Sequence, residues 1–315
     1  MPILLQTRAL PAGLATAGML LLAGCGSGGG SQPPPEPLRT TPHVLQATQE
    51  QAGTLAARTA AGASSGLRVS RDLESLDEIG RLTRELVPRV FDSDDAAAGT
   101  RAEIDCGRNP FRLAPLLCSG SMHIEVNQRE VGDTIAAGTY FDMQFDKFQV
   151  FTPDFERLRI SGGMRIGYVT AFDTKSKRGT LNYQSRGLST NHDGTILEPS
   201  EGALTVHYGE GTVVVETATE RFIDLQAAAA SDTDGTLSGG AILTNFGDGF
   251  IDIRPAPWTT AGGAPQPGAA AAVTGGGGST ATVVVESVAG SEVTCRVAIA
   301  SGGQSREFVV GIPLR

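Results

Sequence analysis

The stretch YFDMQFDKFQVF, Tyr140 to Phe151, decides the fold class of this 315-residue chain. Phe141, Met143 and Phe145 occupy alternate positions, the two-residue period of a strand with one buried face. After Asp146-Lys147 the parity switches to Phe148 and Val150. One extra residue, a β-bulge near Asp146-Lys147, returns all five apolar side chains to the same face, so the sequence predicts a bend there.

The same period continues on both sides. Met122, Ile124 and Val126 alternate with Ser121, His123 and Glu125, and Leu158, Ile160, Met164 and Ile166 predict a strand with Gly162-Gly163 as a kink or turn. Further strands are expected at Thr180–Gly187, Ala203–Tyr208, Thr212–Leu225, Thr236–Phe246 and Phe250–Arg254. Asp193-Gly194, Asp234-Gly235 and Asp248-Gly249 lie between or at the ends of these runs, and Asp-Gly is a favoured hairpin dipeptide because Gly tolerates positive φ. The expected fold class is mostly β: a single antiparallel meander sheet, or a sandwich or half-barrel, with one or two N-terminal helices packed against it.

Those helices are read between residues 44 and 102. Leu73, Leu76, Ile79, Leu82, Leu86 and Val90 recur every three or four residues and form one apolar stripe, with Ser70 or Asp72 as N-cap. Val44 to Ala60, rich in Ala and Gln with weaker periodicity, reads as a second helix or a mobile arm. The β domain spans 103–258. Residues 259–282 are nearly all Ala, Gly, Pro, Ser and Thr, too poor in apolar area to fold, and are expected to be a loop or linker. Val293, Cys295, Val297 and Ile299, followed by Phe308, Val310 and Ile312, place two or three strands in 283–315. So short a tail cannot build its own core and should complete the main sheet.

The N-terminus carries an address. Arg8 precedes an apolar run, Ala9 to Leu22, shorter than the ~20 residues a transmembrane helix needs, and Leu22-Ala23-Gly24-Cys25 forms a lipobox. Residues 1–24 therefore read as a lipoprotein signal peptide and Cys25 as the lipidated residue, held on a membrane by several acyl chains. Residues 25–43, with a Gly/Ser run and Pro33-Pro34-Pro35, read as a tether that does not pack. Gly26 instead of Asp after the Cys matches the pattern of lipoproteins sent to the outer membrane. The formal charge is −9, or −10 once Arg8 is removed with the signal, and no segment gathers Lys and Arg into a patch. That balance excludes nucleic acid as a partner class and leaves membrane attachment to the acyl chains.

Of the other cysteines, Cys106 and Cys118 bracket a short loop in a compartment where disulfides persist, and are expected to pair. Cys295 shares strand parity with Val293 and Val297 and reads as a buried free thiol. The rival is a bond from Cys106 or Cys118 to Cys295. No catalytic, metal or cofactor set emerges. His43, His123, His192 and His207 lack metal spacing, the Asp-Gly fragments near Asp193 and Asp234 lack the acidic residue that completes a calcium loop, and there is no serine elbow or phosphate-cradling loop.

Cys118-Ser119-Gly120-Ser121-Met122-His123-Ile124-Glu125-Val126, then Gly132-Asp133-Thr134, then Tyr140 to Phe148, resembles a pattern of uncharacterised proteobacterial outer-membrane lipoproteins, in which Cys-x-Gly opens a meander with an aromatic second strand. The resemblance covers about residues 103–258 and implies a fold, a lipid anchor and no assigned activity. Those proteins carry a Cys near the end of the aromatic strand, where this chain has Lys147 and Phe148, so the resemblance does not assign a partner to Cys118.

The leading expectation is an outer-membrane-anchored lipoprotein, not an enzyme, with a structural or interaction role and an envelope protein or lipid as partner. The alternative is a carrier whose cavity is lined by Phe141, Met143, Phe145, Phe148 and Val150 and partly closed by the Leu73–Val90 helix, as in outer-membrane lipoprotein carriers, which the architecture resembles. The third is an enzyme with an unfamiliar site.

Overall fold

A computed structural model describes residues 37–90, 100–105, 118–127, 133–151, 157–192, 195–209, 211–231 and 233–314. One long helix, α1 (Gln49–Val90), precedes all the strands. The first group of strands is β1 (Thr100–Asp105), β2 (Cys118–Val126), β3 (Thr134–Ile135), β4 (Tyr140–Phe151), β5 (Arg157–Tyr168), β6 (Phe172–Asp173), β7 (Gly179–His192) and β8 (Thr195–Tyr208). There follow β9 (Val213–Glu216), β10 (Glu220–Ala229), β11 (Gly235–Phe246), β12 (Gly249–Pro255), β13 (Trp258–Ala261) and β14 (Ala264–Pro265). The last four are β15 (Ala270–Thr274), β16 (Thr280–Ala289), β17 (Glu292–Ser301) and β18 (Gln304–Pro313).

These strands form one antiparallel sheet in the order β1-β2-β4-β5-β7-β8-β9-β10-β11-β12-β15-β16-β17-β18, so nearly every strand pairs with its neighbour in sequence. β13 pairs with β11 and β14, while β3 and β6 make a separate two-stranded sheet. The meander read from the sequence is the observed fold class. The expected strand at Thr212–Leu225 is two strands, β9 and β10, folded back at Thr217, whose hydroxyl accepts the amide of Glu220.

The predicted bend is present. The β4–β5 register shifts between Phe145 and Phe148, Lys147 takes φ 46°, and Phe141, Met143, Phe145 and Phe148 are all buried. The irregularity crosses the sheet: Gly120 on β2 stands against the Lys147 carbonyl, and Gly162 on β5 against that of Gly187 on β7. At Gly162, φ is +90° and a Cβ would lie 2.1 Å from that oxygen, so only glycine fits. A second bulge pairs Asp224 on β10 with Gly240 on β11.

The helical segment differs from its reading in three respects. Val44 to Ala60 is neither a separate helix nor an arm: residues from Gln49 onward belong to the single helix α1. The N-cap is Thr48, whose hydroxyl accepts the Gln51 amide, while Ser70 and Asp72 are buried inside the helix. Residues 100–105 of the expected helical region form β1. The apolar periodicity was faint over the first turns because the buried stripe, Ala52, Leu55, Ala56, Thr59, Ala63 and Leu67, is built largely from small residues. Small residues are what the position requires. The helix packs against β10–β13, β17 and β18, and a Cβ on Gly66 would lie 2.9 Å from Leu237 Cδ1. Of the predicted second stripe Leu76 is buried, and the side chains of Ile79, Leu82, Leu86 and Val90 lie outside the described residues.

The reading of 259–282 as loop or linker is corrected. The segment carries β13, β14, β15, a 3-10 turn at Gly276–Gly278 and the start of β16, with Ala269, Ala271, Val273 and Ala281 buried. Composition misled because a central strand takes its hydrogen bonds from neighbours, and an alanine suffices where the opposing volume comes from other elements. Trp258, 1 % exposed, supplies much of that volume. β16, β17 and β18 extend the same sheet, as expected of the tail.

Candidate functional site

Four places in the fold carry groups capable of binding or chemistry. The first is the aromatic stretch. Phe141, Met143, Phe145 and Phe148 project from β4 into one hydrophobic cluster continuous with the rest of the core. The Phe145 and Phe148 rings sit 6.2 Å apart, and Phe141 meets Tyr168 edge-on at the same distance. From there rings continue through Phe172 to Tyr208. The side chain of Val150 lies outside the described residues. Packed this way, the described side chains proposed to line a ligand cavity contribute volume to the core.

A second group lies in the interior. Tyr183 is fully buried, and desolvation with the nearby Asp72 charge pushes its phenol well above the ordinary range, so it stays protonated at any physiological pH. Tyr183 and Ser185, two residues apart on β7, point the same way, and Arg71 and Asp72 are buried on α1. Beside them, burial raises the Glu220 carboxyl against a hydrogen bond from Ser65 and the charge of Arg58 on the helix.

The third lies on the outer face. His207 Nδ1 is 3.1 Å from Thr180 Oγ1, and its Nε2 is 3.3 Å from Glu216 Oε2. Partial burial raises the Glu216 carboxyl, but bonds from Arg221 and His207 outweigh it and hold the group below its usual range. A hydroxyl, an imidazole and a carboxylate in line have the order of a nucleophilic relay. Here they are cross-strand neighbours, Thr180 opposite His207 and Thr205 opposite Glu216, on an open sheet face. The amides around them belong to the strand ladders, leaving no pair of donors for an oxyanion. The arrangement is an ion-pair ladder of the kind that stabilises exposed sheet faces.

The fourth is where the sequence placed the end of an unpacked tether, and there the reading is corrected. Residues 37–45 form a strap fastened to two turns of the sheet. The Arg39 amide donates to Asn245 Oδ1 and its guanidinium to the Gly247 carbonyl. Phe250 donates its amide to Thr41, and His43 donates its own to Phe250. The His43 carbonyl accepts the Gly276 amide at 2.6 Å, and the Leu45 amide reaches Ser279 Oγ at 3.0 Å. The His43 ring bonds Asp248 through Nδ1 and lies edge-on to Phe246. Gly247, Gly249 and Gly275 leave room for it, since a Cβ on any of them would fall within 3 Å of strap atoms. Composition hid the strap because main-chain bonds and two side chains hold it, with Leu45 as its one fully buried apolar anchor.

Cys295 is a free thiol, 2 % exposed, as read from its parity, which rules out the bond from Cys106 or Cys118 to it. Burial, with Glu286 adding, pushes its pKa up to about 11. Cys25 and Cys106 lie outside the described residues, as does the side chain of Cys118, and no disulfide occurs among those described. Among the described residues no group of three or more His, Cys, Asp or Glu could hold a metal ion, and no helix is long and apolar enough to cross a membrane. Searches against family models, curated proteins and solved structures found no match to this chain.

Proposed function

We propose that this chain is a lipoprotein of the bacterial outer membrane, anchored through acyl chains on Cys25, with a non-enzymatic structural or interaction role in the cell envelope. The observation that carries the reading is the lipobox Leu22-Ala23-Gly24-Cys25 behind its apolar run. The fold is consistent with it: a large sheet filled by its own helix, whose outer face bears polar ladders such as Arg165 over the Tyr140 ring and Arg101 with Glu125. Such a surface offers area for a protein partner.

The test is expression of the full chain in a Gram-negative host fed an alkyne-bearing palmitate, beside a Cys25→Ser variant. Label on the wild type alone, sedimenting with outer membrane, supports the reading. An unlabelled wild type overturns the anchor. Turnover of an ester or peptide substrate that His207→Ala abolishes overturns the non-enzymatic role. A stoichiometric lipid on native mass spectrometry of residues 26–315 would make the protein a carrier instead.

A further inference from the structure

We infer that the strapped end of the sheet is the surface turned toward the lipid bilayer; the inference rests on acylation of Cys25. The strands define two ends. Around the strap lie the turns Thr217–Thr219, Gly247-Asp248, Gly275–Ser279 and Gly302-Gly303, since Phe246 pairs with Gly249, Asp252 with Thr274, Thr280 with Ala300, and Ser301 with Gln304. At the other end are the connections through Ser231–Asp234, Gly262-Gly263 and Gly290-Ser291.

The lipid side is assigned by where the chain enters the fold. The strap bonds begin at Pro37, whose carbonyl accepts from Asn245, and continue through Arg39, His43 and Leu45, so the polypeptide leaves the domain at this end. From Cys25 to Pro37 the chain reaches about 40 Å at full extension and averages roughly 20 Å for a Gly/Ser/Pro-rich sequence of that length. β18 alone spans about 30 Å, so holding the far end at the bilayer would require nearly the whole reach.

The test uses the full-length acylated protein on phosphatidylethanolamine–phosphatidylglycerol vesicles containing a rhodamine-labelled lipid. A donor dye is attached through an introduced azido-phenylalanine at Gln304, beside the strap, or at Ser291, at the far end; both are exposed turn-edge positions. With the two sites about 30 Å apart, energy transfer to the membrane dye is expected to be about two-fold greater from Gln304. Acylated, vesicle-bound protein with equal or inverted transfer overturns the orientation while leaving the anchor intact. Protein that carries no acyl mass overturns the anchor itself, and the orientation with it.

Discussion

The two halves of the sheet fill their interiors by different means. From β2 to β8 the inward residues are large, with Phe141, Phe145, Phe148, Met143, Met164 and Tyr183 supplying the volume themselves. From β15 to β18 they are small or β-branched, such as Ala271, Val273, Ala281, Val283, Cys295 and Val297. Here α1 packs on the neighbouring strands β10–β13, β17 and β18 through its own small face. Where a helix lies against the sheet, both surfaces must be thin enough for close approach. Where helix packing is sparser, the sheet must carry its own bulk.

The sharpest way to break this comparison is to remove a large buried side chain from the first half, Phe148, and one from outside it, Trp258 on β13. Trp258→Ala and Phe148→Ala should each cost about 3–5 kcal/mol, read as a fall in the denaturant midpoint. Because the two residues belong to one cluster, the transition should remain single; two resolved transitions would mean that the halves fold independently. Next comes the bend. Gly162→Ala, forced into positive φ against the Gly187 carbonyl, should cost roughly 2–3 kcal/mol, whereas alanine at Gly187, with open space around it, should cost less.

Overpacking tests the thin interface. Gly66→Val pushes branched carbons into Leu237 and Ile242 and should cost about 2 kcal/mol, despite the gain from removing glycine from a helix. Cys295 probes the same half through pH. Its folded pKa of about 11 lies above its ordinary 9.0, so its contribution is complete below pH 9 and is lost as pH rises through 11, on the order of 2 kcal/mol. Stability curves for wild type and Cys295→Val at pH 8 and pH 10.5 should diverge accordingly, and identical curves would mean that the thiolate is not excluded. The smallest effect has the opposite sign: Gly53, on α1 with nothing within 4 Å of a would-be Cβ, should gain about 0.5–1 kcal/mol as alanine, seen as a raised Tm.

The large-residue half was the readable one. Phe141, Met143 and Phe145 announce a two-residue period by hydrophobicity alone, and the parity break at Asp146-Lys147 located the bulge that the register of β4 shows. On the first turns of α1 and in β13–β15 many buried residues are Ala or Thr, such as Ala52, Ala56, Thr59, Thr260, Ala269 and Ala271, which the hydrophobic period hardly registers. The first turns of α1 were therefore read as a second helix or an arm, and the strands between Thr259 and Thr274 as loop or linker. The strap escaped notice for another reason. It is fixed by main-chain bonds from Thr41 and His43 to turns some two hundred residues away, and backbone donors look alike in every sequence. His43 was visible as a lone histidine, but its partner Asp248 read only as half of a hairpin dipeptide. The burial of Cys295 was legible because strand parity alone decided it.

The meander also sets an order in time. Each long strand pairs with the one made just before it, so the sheet can lengthen at one edge as the chain is delivered N-terminus first, with small loop-closure cost at every addition. The helix comes earlier than any strand, yet its thin face packs mainly on β10–β13, β17 and β18. A chain delivered as far as β8 therefore still displays Ala52, Leu55, Ala56 and Leu67 to water. That interval, between the helix and the strands that enclose it, is when a chaperone would have something to hold.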